Sequence, residues 1–380
     1  MGLASMSRRT MGLCVGLVAC GTFTATILTG CGDNAGKARP STTGSSPAQQ
    51  PPADRAVAAV DRPAYTDDFS TAVVRSALRE QAIETLLAGG RSRDPSIRAN
   101  AAEAAQLAPQ RLESLIAAAL KDDNLGVRAV GAVSVGKAKL RSLAPALRPL
   151  MSDSSPFVRS SALFGLQCCG ETVDLTPLST FLLDDPSPKV RSHAAYLLGE
   201  LGDKSAIPMI KTAAKKPMPR ASEADVRLMQ LQFAEALVKL GDEGQIHSIR
   251  AALYPSRVEE LEATALAVQV IGTLKDRGAS DQLIYLSAKE DDAGNPMPAE
   301  IRLGIASSLA QIGNKRGNFI AEQYWKDPNP VLRAQAASVF GFTGQTDSLP
   351  YLKWYLTSDQ SEQVRVSAAA GVLRAVGGTR

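Results

Sequence analysis

An arginine returns along this chain on a nearly regular beat, and its neighbourhood returns with it. Arg98, Arg128, Arg159, Arg191, Arg227, Arg302, Arg333 and Arg365 are spaced by 30, 31, 32, 36, 75, 31 and 32 residues, the 75 spanning a silent beat near Thr264. A period in this range marks a solenoid, in which each unit is one supersecondary element that cannot bury its apolar face without its neighbours. With the silent beat included, the count is about nine units.

The clearest copy runs from Asp185 to Asp203. Val190, Ala194, Leu197, Leu198 and Leu201 fall at i, i+4, i+7, i+8 and i+11, one apolar stripe at 3.6 residues per turn, so this half of the unit is a helix. Asp and Ser with a nearby Pro signal its start, and Gly202, able to take the left-handed cap conformation, signals its end. Other copies fit the same frame: Val127-Arg128 to Gly136, Val158-Arg159 to Gly170, Ile301-Arg302 to Gly313, Leu332-Arg333 to Gly344, and Val364-Arg365 to Val376 and Gly377. A second apolar-periodic run precedes the helix, as in Leu143–Met151, Leu175–Leu183, Ile207–Ala214, Phe319–Trp325 and Tyr351–Leu356. One unit is thus two short antiparallel helices. The fifth and sixth units are irregular, with Gly241 late and Thr264 in the arginine's place.

An Asp stands six residues before the Arg in Asp122/Arg128, Asp153/Arg159, Asp185/Arg191, Asp327/Arg333 and Asp359/Arg365. A carboxylate in the turn and a guanidinium in the first helical turn can bond the free N–H groups at helix starts and reach the next unit, which predicts a structural ladder along the stack. The alternative is a row of solvated ion pairs, each worth at most about 1 kcal/mol. The Asp-x5-Arg turn and the V-R-x-x-A-A-x-x-L-G-x-x-G helix resemble HEAT repeats, in the short form also found in phycobilisome-lyase-type proteins. The resemblance covers about residues 70 to 378, with the fifth to seventh units departing from it. It implies an all-α superhelical solenoid whose second helices line the concave side, and a role as scaffold or adaptor. At 8 to 10 Å per layer, an open stack would form a curved rod on the order of 80 Å long.

The front of the chain reads as an address. Ser7-Arg8-Arg9 supplies positive charge, Met11 to Gly30 is uncharged and largely apolar, and Leu28-Thr29-Gly30-Cys31 resembles the bacterial lipobox. The resemblance implies cleavage before Cys31, lipidation of its thiol and a lipid anchor in a bacterial membrane. Leu17-Val18-Ala19-Cys20 fits the letters, but cleavage there would leave Thr22 to Leu28 exposed in water; an uncleaved membrane helix is the other alternative. The expected organisation is a signal peptide over 1–30, a disordered tether over 31–65 rich in Pro, Ser, Thr, Gly, Ala and Gln, and the solenoid over 66–380. Export would place the solenoid on the periplasmic side of an inner or outer membrane, or at the cell surface.

Composition adds exclusions. Losing Arg8 and Arg9 with the signal leaves 40 Lys and Arg against 38 Asp and Glu, a nearly neutral surface without the basic footprint of nucleic-acid binding. Adjacent Cys168 and Cys169 cannot form an unstrained disulfide. His193 and His247 are the only histidines, with no H-E-x-x-H, paired-cysteine or calcium-loop pattern. The expectation is therefore no metal, cofactor or small-molecule substrate, and no enzymatic activity; a lyase-like enzymatic subunit, suggested by the repeat subtype, and a purely mechanical spacer are the alternatives.

Partner binding leaves a fainter trace. Tyr196 lies about 145° from the apolar stripe, and the equivalent positions read Glu103, Val133, Phe164, Tyr196, Glu235, Gln269, Ser307, Ser338 and Ala370. Val133, Phe164 and Tyr196 therefore form either an apolar groove on the concave side or a seam between neighbouring second helices. His193 on the same helix, with Met218 and Met297 in two enlarged Pro-Met-Pro turns, completes the candidate contacts for a protein partner in the cell envelope. Trp325, Tyr351 and Trp354 are expected to close the end of the core.

Overall fold

The computed structural model describes residues 62–291 and 294–377. Cys31, the signal segment and the tether up to residue 61 lie outside the described residues.

Among the described residues, eighteen α-helices pair into nine units. The first five units are α1 (Ala72–Gly89) with α2 (Pro95–Ala104), α3 (Pro109–Ala119) with α4 (Leu125–Ala138), α5 (Ala144–Leu147) with α6 (Pro156–Cys168), α7 (Thr176–Asp184) with α8 (Pro188–Leu201), and α9 (Ile207–Lys215) with α10 (Glu223–Lys239). The last four are α11 (Ile246–Ala251) with α12 (Leu261–Leu274), α13 (Ser280–Ala288) with α14 (Ala299–Gln311), α15 (Asn318–Tyr324) with α16 (Pro330–Thr343), and α17 (Leu349–Ser358) with α18 (Glu362–Gly377). The fold is all-α, and among the described residues the one β contact is an isolated bridge between Glu290 and Pro296.

Local chemistry explains the helix boundaries. Asp94, Asn124 and Asn329 accept hydrogen bonds from the first backbone N–H groups of α2, α4 and α16. Pro95, Pro156, Pro188 and Pro330 occupy first-turn positions where no N–H is needed. Gly202 and Gly344 close α8 and α16 in the left-handed conformation (φ 77° and 60°). Lys139 and Lys275 take that same conformation after α4 and α12.

The turn between the two helices of a unit is built around its Asp. Asp122 Oδ1 accepts the Asn124 N–H at 2.9 Å, and Asp153, Asp185, Asp327 and Asp359 repeat the arrangement with Ser155, Ser187, Asn329 and Ser361. Each Arg then grips the carbonyl of its own turn: Arg128, Arg159, Arg333 and Arg365 through Nη1, and Arg191 through Nε, at 2.7–2.8 Å. Three also reach the next unit's carboxylate with two nitrogens: Arg98 to Asp122, Arg128 to Asp153 and Arg333 to Asp359. The series is interrupted in the middle of the chain. Arg159 instead lies over the Phe181 ring at 5.3 Å, Arg227 pairs with Glu260, and Arg302 donates to the Tyr324 hydroxyl.

The second helices approach one another more closely than side chains of ordinary size allow. A Cβ on Gly341 would lie 2.4 Å from the Gly371 Cα, one on Gly272 would lie 2.9 Å from the Ser308 Cα, and one on Gly199 would lie 3.0 Å from the Ala236 Cα. With the inner row drawn together and the first helices outside, each unit is a wedge. Roughly 40° of turn per wedge brings nine units full circle.

The two ends of the chain accordingly meet. α1 packs antiparallel against α18, with Gly89 against Val366, and Ser92 Oγ donating to the Glu362 carboxylate. Lys353 Nζ lies 2.6 Å from Asp67 Oδ2 and 4.8 Å from the Tyr65 ring centre, and Arg62 pairs with Glu322. The largest buried apolar cluster joins Leu78, Ala82, Ile83 and Leu86 of α1 to Val366, Ala369 and Leu373 of α18. This corrects the open rod expected from layer spacing alone, which leaves out the convergence of the inner helices. Trp325, Tyr351 and Trp354 do pack together, with ring centres 5.3 and 5.4 Å from Trp325, but within a core continuous with the first unit.

Gly341→Leu should therefore destabilise the chain in urea unfolding by about 3 kcal/mol through overpacking. Gly377→Leu, where an added Cβ meets nothing within 4 Å, should leave the midpoint unchanged.

Candidate functional site

On the concave side, seven of the nine positions one helical face away from the apolar stripe are filled, while Gln269 and Ser307 are half-buried. Glu103, Val133, Phe164, Tyr196, Glu235, Ser338 and Ala370 are all buried, none more than 8% exposed. Phe164 lies in the seam against α4, so close that a Cβ on Gly136 would sit 2.7 Å from its ring. The groove drawn from Val133, Phe164 and Tyr196 is thus closed, because neighbouring second helices interdigitate and the ring curves tightly enough for units two apart to touch.

That cross-ring contact is ionic. Lys137 on α4 reaches past α6 to Glu200 on α8 at 3.2 Å, and Lys239 on α10 lies 2.6 Å from both Glu200 and Glu235. The Tyr196 ring sits between the two ammonium groups, each 5.1 Å from its centre. Burial alone would lower Lys239, yet Glu235 and Glu200 outweigh it and hold the ammonium above its ordinary value. Burial alone would raise Glu200, yet Lys239 and then Lys137 hold the carboxyl below its usual range. Burial, then Glu200, pushes the Tyr196 phenol well above its ordinary value. This cluster locks the second, fourth and fifth units together. Breaking such a pair strands a buried charge.

His193, Met218 and Met297 are also drawn inward. The His193 ring is fully buried against Phe157, with Nε2 at 2.9 Å from Ser161 Oγ and 3.2 Å from the Phe157 carbonyl. Met218 and Met297 are half-buried against the neighbouring apolar clusters. The second Pro-Met-Pro turn folds back on itself, Met297 donating its N–H to the Lys289 carbonyl. Cys169 is buried and Cys168 half-buried; burial, then its neighbour Cys169, pushes the Cys168 thiol up to about 11, far from thiolate chemistry at neutral pH. Among the described residues, no three His, Cys, Asp or Glu side chains gather as a metal site.

What is exposed lies on the outside. Tyr254, Ile284 and Tyr285 are 49%, 47% and 59% accessible, and the two tyrosine rings are 6.4 Å apart. They stand on the outer side of the sixth and seventh units, with exposed Val258 four residues after Tyr254. Lys289 ties the two units together through the Pro255 carbonyl at 3.1 Å. This patch lies on first helices and loops, outside the second-helix repeat frame. The available signal was Ile284-Tyr285, two large apolar residues between the buried Leu283 and Leu286, where one stripe cannot hold all four.

The HEAT-repeat family profile matches residues 175–269 and 295–373. The chain is a HEAT-repeat protein. Its similarity extends to deoxyhypusine hydroxylase-B from Oryza sativa subsp. japonica, 24% identical over 246 residues that cover 59% of this chain and 78% of that protein. Deoxyhypusine hydroxylase from Schizosaccharomyces pombe is 23% identical over 221 residues, covering 57% of this chain and 65% of that protein. Among solved structures, the complex of CpcE and CpcF of phycocyanin lyase from Nostoc sp. PCC7120 aligns with a TM-score of 0.38 at 18% identity, over 71% of this chain and 98% of that one. The two hydroxylases correct the expectation of a chain without enzymatic activity: HEAT repeats similar to these occur in proteins named as enzymes, so the repeat does not exclude catalysis.

Burial holds His193 down at about 3, against about 6.5 when unfolded. Between those values the unfolded chain binds a proton that the folded chain refuses, so stability falls as pH drops from about 6.5 toward 3. His193→Gln should flatten that acid limb, measured as the thermal midpoint against pH.

Proposed function

We propose that this HEAT-repeat protein is a protein-binding scaffold of a bacterial cell envelope, tethered by a lipid on Cys31, that engages its partner through the outer face of its sixth and seventh units. The observation that carries the binding reading is the exposed pair Tyr254 and Tyr285 with Ile284, since contiguous exposed aromatic and aliphatic side chains mark contact surfaces. The tether reading rests on the Leu28-Thr29-Gly30-Cys31 sequence. Among the described residues no helix is long and apolar enough to cross a membrane, so attachment of the folded region would fall to the segment before it.

Crosslinking in the native cells, followed by affinity capture, tests the surface. Ile284→Asp with Tyr285→Asp should lose the captured partner while circular dichroism stays unchanged; retention of the partner contradicts the reading. Mass spectrometry of the same purified chain should find a diacylglyceryl cysteine as its first residue.

A second reading, a hydroxylase acting on a deoxyhypusine-bearing protein, is favoured by the similarity to the rice and fission-yeast enzymes. It predicts that the chain, supplied with dioxygen and a reductant, adds the mass of one oxygen atom to such a substrate.

A further inference from the structure

A cavity of about 260 Å³ opens where the ring closes, lined by Arg75, Lys315, Phe342, Gly344, Arg374 and Ala375, with Gly341 at its wall. Three of its lining residues are cationic, and none is a carboxylate. Arg75 stands in the first turn of α1, Arg374 in the last turn of α18, and Lys315 in the turn after α14, so the site exists only because the first helix docks on the last units.

The hydrogen bonding at this site is incomplete. Both terminal nitrogens of Arg374 and Nε of Arg75 are shielded from solvent without an acceptor. The Arg374 guanidinium stacks on the Phe342 ring at 4.5 Å, which fixes its plane and leaves its in-plane N–H groups to find partners. Arg98, Arg128 and Arg333, by contrast, bond their guanidinium groups to carboxylates and turn carbonyls. Shielded, unpartnered guanidinium N–H groups are costly. A fixed planar fork, a second guanidinium and an ammonium around one cavity match a compact oxyanion of double negative charge.

We propose that this pocket binds phosphate or a phosphate monoester. Its location adds a consequence: the anion would crosslink the two ends of the chain and stabilise the closed ring. The inference is independent of the outer-face reading, since the two sites share no residue.

The test is the thermal midpoint of the full-length chain, with inorganic phosphate, acetate or chloride titrated at matched ionic strength. Phosphate should raise the midpoint in a saturable way, as a ligand of the folded state does, while acetate and chloride should not. Arg374→Gln should weaken phosphate binding at least tenfold, as loss of charge-assisted hydrogen bonds does. Lys315→Gln, on an exposed turn where folding is not at stake, should weaken it by roughly fivefold. Equal responses to phosphate and acetate, no response to phosphate, or an undiminished response in Lys315→Gln would each overturn the proposal.

Discussion

The structure depends on how closely the second helices approach. In an α-solenoid the spacing of the inner row relative to the outer row sets curvature, and here glycine and other small residues set the inner spacing. Gly341 against Gly371 brings two helix backbones together with no side chain between them. Curvature accumulated over nine units returns the stack to its start, where α1 and α18 share one apolar cluster. An open solenoid leaves an unpaired apolar face at each end; here those two faces cover each other. The terminal aromatic group of Trp325, Tyr351 and Trp354 therefore belongs to a continuous interior.

Closure also fills the concave side. In an open superhelix the concave face is the natural place for a partner, but here Lys137 on the second unit meets Glu200 on the fourth across the third, and Lys239 and Tyr196 complete a packed centre. Charges in that setting are held by each other. The exposed apolar side chains Tyr254 and Tyr285 stand instead on the outer surface, and Arg75 and Arg374 come together at the seam.

Much of the fold was legible in the sequence because its signals are local. The 3.6-residue stripe of Val190, Ala194, Leu197, Leu198 and Leu201, the Asp-x5-Arg turn and the glycine after the helix each act within one unit, and they gave the helix pairs and their number. The closure depends on packing between units, although a trace of it lies in the sequence. Gly136, Gly199, Gly272 and Gly341 each fall eight residues after the arginine position of their unit, counting Thr264 as that position in the sixth. Those glycines signal close approach of inner helices, and hence curvature. The helical angle gives the side on which Tyr196 lies, but its burial depends on Lys137 and Lys239 from other units, which no single-helix periodicity encodes. Insertions in a solenoid commonly emerge at the surface, but Met218 and Met297 fold back onto the apolar clusters instead.

The most direct test of a closed ring is a zero-length carbodiimide crosslink between Lys353 and Asp67, whose side chains form an ion pair of 2.6 Å although 286 residues separate them. The account predicts an amide joining the peptides that carry these two residues, found by mass spectrometry in the monomeric fraction. Absence of that link from the monomer, or its appearance only between two chains, would contradict it.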